Sequence, residues 1–448
     1  MNKKVFLWSL TVALAGFLFG FDTVVISGAE QTLQELWKSH TFFGSNDNFH
    51  GYIIVGSALF GTIFGAVLGG FPTNLLGRKN TLIWIGIFYT VSALGSALAN
   101  DPWIFAFFRF LGGLGVGAST IAAPAYISEI ASPQNRGKLV ATYQFNIVFG
   151  ILIAFVSNYL ISSFILSENA WRWMVGIEAL PAFVYTIMVF GVPKSPRWLL
   201  VKGRTEEALK VVKMISPDED PQKTIAQILE TEQSRIKEPI FKRKYKRIIL
   251  LAFAIAFFNQ FSGINAFLYY SKRIFEEAGL ANQAALLGSI GIGVANLIFT
   301  LLGMYLIDRL GRKKLMLFGS IGYIISLFFV ALAFFNEWSG LIVPVSLFVF
   351  IGAHAIGQGA VIWVYISEIF PNHIRSYGQS IGTSTHWVLA FMIPSSVPFL
   401  IAKIGAGSMF LFFAMMMVFQ LLWVLFIMPE TKGVSLEELE KQLVLEDE

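Results

Sequence analysis

Asn259-Gln260-Phe261-Ser262-Gly263-Ile264-Asn265-Ala266-Phe267-Leu268-Tyr269-Tyr270 lies inside an apolar run that extends from about residue 248 to 275. Three amides, a serine, a glycine and two tyrosines occupy positions where a membrane segment favours Leu and Val. Gln260, Ser262 and Gly263 cluster at helical spacing, flanked by Asn259 and Asn265. Amides carry donors and acceptors without charge. In hydrocarbon such groups need partners within the protein. One polar residue reads as contact between helices. Several in one short stretch read as a site for a neutral, hydroxyl-rich molecule.

The whole chain agrees with that membrane setting. Of 448 residues, 55% are hydrophobic and 14% charged, with 44 Phe. Soluble domains carry about 25% charge, so this is a polytopic membrane protein. There is no cysteine, which excludes disulfides, thiol chemistry and Cys-ligated metals. Lys3 and Lys4 precede an apolar run, and Ala13-Leu14-Ala15 resembles a signal-peptidase site. The run continues through Phe17 to Ile26. It therefore reads as an uncleaved first helix.

Spans need about 20 apolar residues each. Twelve segments qualify, at about 6–30, 50–75, 80–99, 103–127, 137–163, 171–192, 247–276, 283–308, 314–335, 340–367, 376–402 and 406–428. Lys3, Lys4, Arg78, Lys79, Arg136, Lys138, Arg309, Arg312, Lys313, Lys314 and Arg375 fall on one side, with the Lys/Arg-rich stretch 193–247. The opposite loops hold few cations, among them Lys38, Lys272, Arg273 and Lys403. The positive-inside rule then places both termini in the cytoplasm. The net charge of +5 follows from this topology and does not imply nucleic acid.

The chain also repeats. Leu76-Gly77-Arg78-Lys79 recurs as Leu310-Gly311-Arg312-Lys313, 234 residues on. Ser128-Glu129-Ile130 with Arg136 recurs as Ser367-Glu368-Ile369 with Arg375, 239 residues on. Two motifs with nearly equal offsets indicate a duplicated six-helix unit, with parallel repeats related by an axis along the membrane normal. The expected organisation is a six-helix half over 1–192, a cytoplasmic helical linker over 193–246, a second half over 247–430 and a tail helix over 431–448. Linker helices are expected near 204–215 and 221–236. In the tail, Ser435 should cap a helix running to Leu443, with Glu437 and Glu438 in its first turn.

These motifs in this order resemble the sugar porters of the major facilitator superfamily, over nearly the whole length. The resemblance rests on Gly69-Gly70 through Gly77-Arg78-Lys79, on Arg109 with Gly112-Gly113-Leu114-Gly115-Val116-Gly117, and on Glu129 through Arg136-Gly137-Lys138. It continues through Trp171-Arg172-Trp173, Pro193 to Arg197, Gln260 to Asn265, Asp308 to Arg312, Glu368 to Arg375, and Pro429-Glu430-Thr431-Lys432-Gly433. The implied fold is an all-α membrane protein of twelve transmembrane helices in two pseudo-repeated halves with a cytoplasmic helical linker. Sites between such halves are exposed to alternate sides by rocking.

The resemblance also implies a site. Sugar porters hold hydroxyls with amides from the fifth, seventh, eighth and eleventh helices. The matching positions here are Gln144, Gln260, Asn265 and Asn296, with Trp363 resembling the family's sugar-stacking tryptophan. Asn259 replaces the first glutamine of a common pair, shortening its reach by one methylene. His386 stands where many members carry Gln or Asn. It still donates or accepts a hydrogen bond, and an unperturbed His titrates near neutral pH. On the cytoplasmic side, Glu129 with Arg136 and Glu368 with Arg375 set opposite charges at helix ends, and Arg78 and Arg312 are positioned to meet such carboxylates. The resemblance implies that these six form an ion network between the halves that closes the inner side.

Asp22 is the only acid within the first apolar segment ahead of its last residue, and Arg109 the only cation within the fourth. At about 1.5 Å per residue both lie about 10 Å below the outer surface. Either charge alone there costs several kcal/mol. A neighbouring Arg keeps a carboxylate ionised, and losing it favours protonation. By resemblance, proton-coupled sugar porters carry an aspartate at this position and facilitative carriers often a neutral residue. The expectation is a proton-coupled symporter of a hexose or pentose, functional as a monomer in the cell (inner) membrane, with proton, monosaccharide and lipid as partners and no cofactor. The alternatives are a facilitative uniporter and a sugar-sensing receptor. The tail, ending about 20 residues after the last span, argues against the receptor. Neither a Gly-Lys-Ser/Thr phosphate loop nor clustered metal ligands suggest an enzyme.

Overall fold

The computed structural model describes residues 2–132, 134–217, 220–233, 240–338, 340–371, 374–434 and 436–444. Among them there is no β-strand, and eleven helical segments are long and apolar enough to cross a membrane. The last, Tyr377–Phe426, runs 50 residues and contains Gly405 at φ 79°, ψ 156°. That non-helical glycine divides it into two crossings, which gives twelve.

Local sequence sets the helix ends. The fourth span, Pro102–Ile130, begins with Asp101, whose side chain accepts from the backbone N–H of Trp103 at 2.9 Å and of Ile104 at 3.2 Å. Pro102 follows as the first helical residue, where its missing donor costs nothing. The third and ninth spans each follow a glycine in a left-handed conformation, Gly77 at φ 85° and Gly311 at φ 90°. The seventh span breaks at Gly263, φ 81°, ψ 11°. Helix Lys246–Phe261 stops there and Ile264–Tyr269 restarts. A β-carbon on Gly263 would also lie 2.6 Å from the Phe413 ring.

Packing divides the chain into two compact units. The first comprises Met1–Val25, Ser57–Ala154 and Trp171–Ile236, the second Ile26–Gly56, Phe155–Ala170 and Lys237–Glu448. The division does not follow the sequence repeat, since residues 26–56 and 155–170 pack with the second unit.

In the first unit the second and fourth spans meet backbone to backbone. A β-carbon on Gly61 would lie 2.1 Å from the Phe110 carbonyl oxygen, and one on Gly113 only 1.9 Å from that of Ala58. Any side chain there forces the helices apart, the usual reason for small residues at membrane helix crossings. The linker helices Pro196–Val201, Thr205–Ile215 and Pro221–Gln233 pack through Trp198, Leu199, Leu200, Ala208 and Val211. Trp198 anchors them, its indole N–H donating to the Asn74 carbonyl at 2.9 Å. Residues 234–236 of the expected second linker helix lie outside the described residues. In the second unit, the tail helix Leu436–Leu443 buries Leu439 and Leu443 against Tyr245, Ile248 and Met428. Ser435, its expected cap, and the side chain of Glu437 also fall outside the described residues.

Candidate transport site

The first unit holds a buried charge cluster. Asp22, 2% exposed, and Arg109, 1% exposed, form a direct ion pair through Nη1 and Oδ1. Arg109 Nη2 also donates to the Asp22 carbonyl at 3.2 Å. Glycine at 112 lets Ser92 pack close beside the pair, because a β-carbon there would lie 2.5 Å from the Ser92 hydroxyl and 3.7 Å from Asp22 Oδ1. Glu178, 1% exposed, lies against both Asp22 and Arg109. Two carboxylates and one guanidinium therefore lie together in a place without water-like screening. Gln144 sits half-buried on the fifth span, Arg136–Phe164, of the same unit.

The second unit holds the neutral polar cluster, organised around Gln260, which is 1% exposed. Its Nε2 donates to Asn259 Oδ1 at 2.9 Å and to His386 Nδ1 at 3.1 Å. Its Oε1 accepts from Asn265 Nδ2 at 2.9 Å. The break at Gly263 makes this last bond possible, because it turns Asn265 back toward the helix it follows. Asn265 and His386 keep part of their surface open, while Asn259 and Gln260 are buried behind them. Trp363 lies beside His386, 5.1 Å between ring centres with the rings tilted by 60°. Ser262 donates to the Asn259 carbonyl at 2.6 Å. Asn296 stays within its own helix, its Oδ1 accepting from Thr300 at 3.4 Å, and no hydrogen bond among the described residues joins it to the Gln260 cluster.

On the motif side the two units repeat one design. Arg78 donates from Nε to Glu129 Oε1 at 3.0 Å and from Nη1 to the Thr73 carbonyl at 3.3 Å. Arg312 donates from Nε to Glu368 Oε2 at 3.0 Å and from Nη1 to the Ile307 carbonyl at 3.2 Å. Both carbonyls lie five residues back. The Ser195 hydroxyl donates to Glu129, and the Thr431 hydroxyl donates to Glu368 at 2.6 Å. Each Arg thus pairs with the Glu of its own repeat. Arg136 is exposed with no ion pair among the described residues, and Arg375 is half-buried with Nε and Nη2 lacking hydrogen-bond partners.

Some of these groups escape the sequence reading. Glu178 is the lone acid of the sixth segment, the same signal that singles out Asp22. His354, the lone histidine of the tenth segment, shares a 2.5 Å hydrogen bond with the Tyr323 hydroxyl. Ser195 and Thr431 form a third repeated pair, 236 residues apart, hidden because hydroxyls in polar loops carry no distinctive pattern.

The family model described as sugar (and other) transporter matches residues 8–443. The chain is 34% identical over 445 residues to the arabinose-proton symporter of Bacillus subtilis, covering 98% of this chain and 94% of that protein. It is 32% identical over 470 residues to the D-xylose-proton symporter of Escherichia coli K12, covering 98% and 96%. Among solved structures, an inward-open conformation of the xylose transporter from E. coli superposes with a TM-score of 0.88 at 31% identity, covering 98% of this chain and all of that one. With the twelve crossings, the duplicated Arg–Glu–hydroxyl motif and a match spanning nearly every residue, the chain belongs to the sugar (and other) transporter family and is a multi-pass membrane transporter.

Proposed function

We propose that this protein is a proton-coupled monosaccharide symporter that works by alternating access. The observation that carries the reading is the buried Asp22–Arg109 pair with Glu178 against it. Two carboxylates and one guanidinium sum to −1 when fully ionised and to zero with one proton bound. A site of this kind changes its charge by taking up a proton, and a buried charge is costly enough to bias a conformational equilibrium. The named relatives, an arabinose-proton and a D-xylose-proton symporter, support the same substrate class.

The sugar is held by neutral groups: Gln260, Asn265 and His386 present donors and acceptors, Asn259 fixes Gln260, and Trp363 offers an apolar ring face for stacking. Gln144 and Asn296 complete the hydroxyl contacts from their own helices. The six charged motif residues, Arg78, Glu129, Arg136, Arg312, Glu368 and Arg375, act as the cytoplasmic gate. The Lys/Arg distribution supports cytoplasmic termini in the cell inner membrane, and the carrier works as a monomer in the bilayer.

Sugar added to deenergised cells expressing the protein is expected to alkalinise the external medium as protons enter with it. Sugar entry without alkalinisation overturns proton coupling and leaves a facilitative uniporter. Absence of uptake for every monosaccharide in a pentose and hexose panel overturns the substrate class.

A further inference from the structure

A second buried charge cluster, away from Asp22, lies wholly within the second unit. Glu30 follows the first span and opens the short helix Glu30–Leu36. Its side chain is fully buried. Its Oε1 accepts from Arg273 Nε at 2.9 Å and its Oε2 from Arg273 Nη2 at 2.6 Å, a fork-to-fork geometry. Oε2 also accepts from His50 Nε2 at 2.9 Å. His50 is fully buried in the π-helical turn His50–Val55, near the start of the second span, Asn46–Leu68. Arg273 sits on helix Ser271–Glu277, just past the seventh span, and also donates to Gln34. Gln34 donates in turn to Asp47 Oδ1 at 2.8 Å. Beside the core of the cluster, Lys272 donates to Gln31 at 2.9 Å and pairs with Glu276 at 3.4 Å.

The bonds from Arg273 and Lys272 to Glu30, Gln34 and Gln31 join residues 239 to 243 apart in sequence. They tie the connection between the first two spans to the helix that follows the polar stretch of the seventh. This is also where the packing departs from the sequence repeat, since residues 26–56 group with the second unit. Charge distribution places both segments on the outer side. On the alternating-access reading, rocking of the two sequence repeats about the site parts the first-repeat segment from the post-seventh helix as the outer side opens. Parting them puts water on Glu30 and Arg273 and forfeits a desolvated bidentate pair.

We propose that Glu30, His50, Gln34 and Arg273 form an outer latch: a polar clasp assembled when the external entrance is closed and broken when it opens. The proposal rests on the alternating-access reading. In the latched state Glu30 accepts from both His50 and Arg273, and Gln34 accepts from Arg273 beside it, so losing Glu30 removes the largest share of the clasp. The same geometry accounts for the burial of an Arg–Glu pair at the end of a span, where exposed loop charges would satisfy topology equally well.

The chain has no native cysteine, so one introduced thiol reports accessibility without interference. Leu268, 5% exposed on the helix Ile264–Tyr269, is a suitable reporter as Leu268→Cys. Right-side-out vesicles carrying it would be treated with a membrane-impermeant thiol reagent. Glu30→Gln is expected to raise the external labelling rate about tenfold by shifting the open population. Gln34→Ala, a milder change at a half-buried residue, should raise it to a lesser extent. The charge-reversed pair Glu30→Arg with Arg273→Glu should bring the rate back toward that of the parent. Rates within about twofold of the parent in both Glu30→Gln and Gln34→Ala overturn the latch. So does a charge-reversed pair that labels as fast as Glu30→Gln. Labelling reads the entrance and not transport, so failure of the sugar-symport reading would appear separately, as absent uptake by the parent.

Discussion

Gln260→Ala is the substitution with the largest expected effect on sugar recognition. Gln260 is the hub of the polar cluster: Asn259, Asn265 and His386 all bond to it, at 2.9, 2.9 and 3.1 Å. The substitution removes whatever bond the amide makes to a hydroxyl. It also frees Asn265 and His386, which hold the open surface, from their fixed orientations. A neutral hydrogen bond contributes about 0.5–1.5 kcal/mol net, and an orphaned buried group costs about 1–3. One lost sugar bond together with one misplaced neighbour amounts to about 2–3 kcal/mol, a factor of roughly 30 to 150 in affinity. The assay is equilibrium binding to purified protein, paired with the KM for uptake into vesicles. Kd and KM should rise together, because the interaction is with bound sugar in either measurement. Binding and KM within about twofold of the parent, in a variant that folds, would refute the assignment of Gln260 as the centre of the site.

Other consequences follow from the same geometry. Gly263→Ala should lower thermal stability by about 2 kcal/mol or more, because the left-handed backbone costs about 1–2 kcal/mol and the new β-carbon meets the Phe413 ring at 2.6 Å; an unchanged melting temperature would contradict it. Glu129→Gln and Glu368→Gln should each destabilise by about 1–3 kcal/mol, and by similar amounts, because each carboxylate is held by one Arg and one hydroxyl. A clear loss in one and none in the other, read by thermal unfolding, would break the equivalence. Glu30 also carries a pH signature. Burial, the largest influence, pushes its carboxyl up, but the Arg273 charge and the bonds from His50 and Arg273 outweigh it and leave the group below its ordinary 4.5. A depressed carboxyl contributes stability that is present above its unfolded value and is lost as pH falls through the folded one. Melting temperature should therefore fall on acidification below about 4.5 more steeply in the parent than in Glu30→Gln. Parallel curves would remove Glu30 as a source of that stability.

The fold was legible because membrane helices announce themselves by length and apolarity, and a duplicated loop motif reveals a duplicated unit. The paired Asp22 and Arg109 were legible for a related reason: a lone charge in an apolar segment stands out, and helix rise converts position into depth. Glu178 carries the same signal, but one acid and one cation already balance in charge, so nothing in the sequence calls for a second carboxylate beside them. Ser195 and Thr431 were illegible because their role depends on which carboxylate the fold delivers to them. The outer cluster was hidden for a different reason. Glu30, His50 and Arg273 lie at span ends, where charges are ordinary, and only the folded chain brings residues 30 and 273 within bonding distance. The departure of residues 26–56 from the repeat boundary is likewise a matter of packing, on which periodicity is silent.

The most direct test of proton coupling is sugar accumulation in proteoliposomes under an imposed pH gradient at zero membrane potential, for the parent and for Asp22→Asn. One pH unit is worth about 1.4 kcal/mol, so a carrier moving one proton per sugar should approach about tenfold accumulation in the parent. Asn retains an acceptor for Arg109, and Glu178 remains close by, so the variant should fold and exchange labelled for unlabelled sugar. Its accumulation ratio should fall to one. Undiminished uphill uptake by Asp22→Asn would contradict the account.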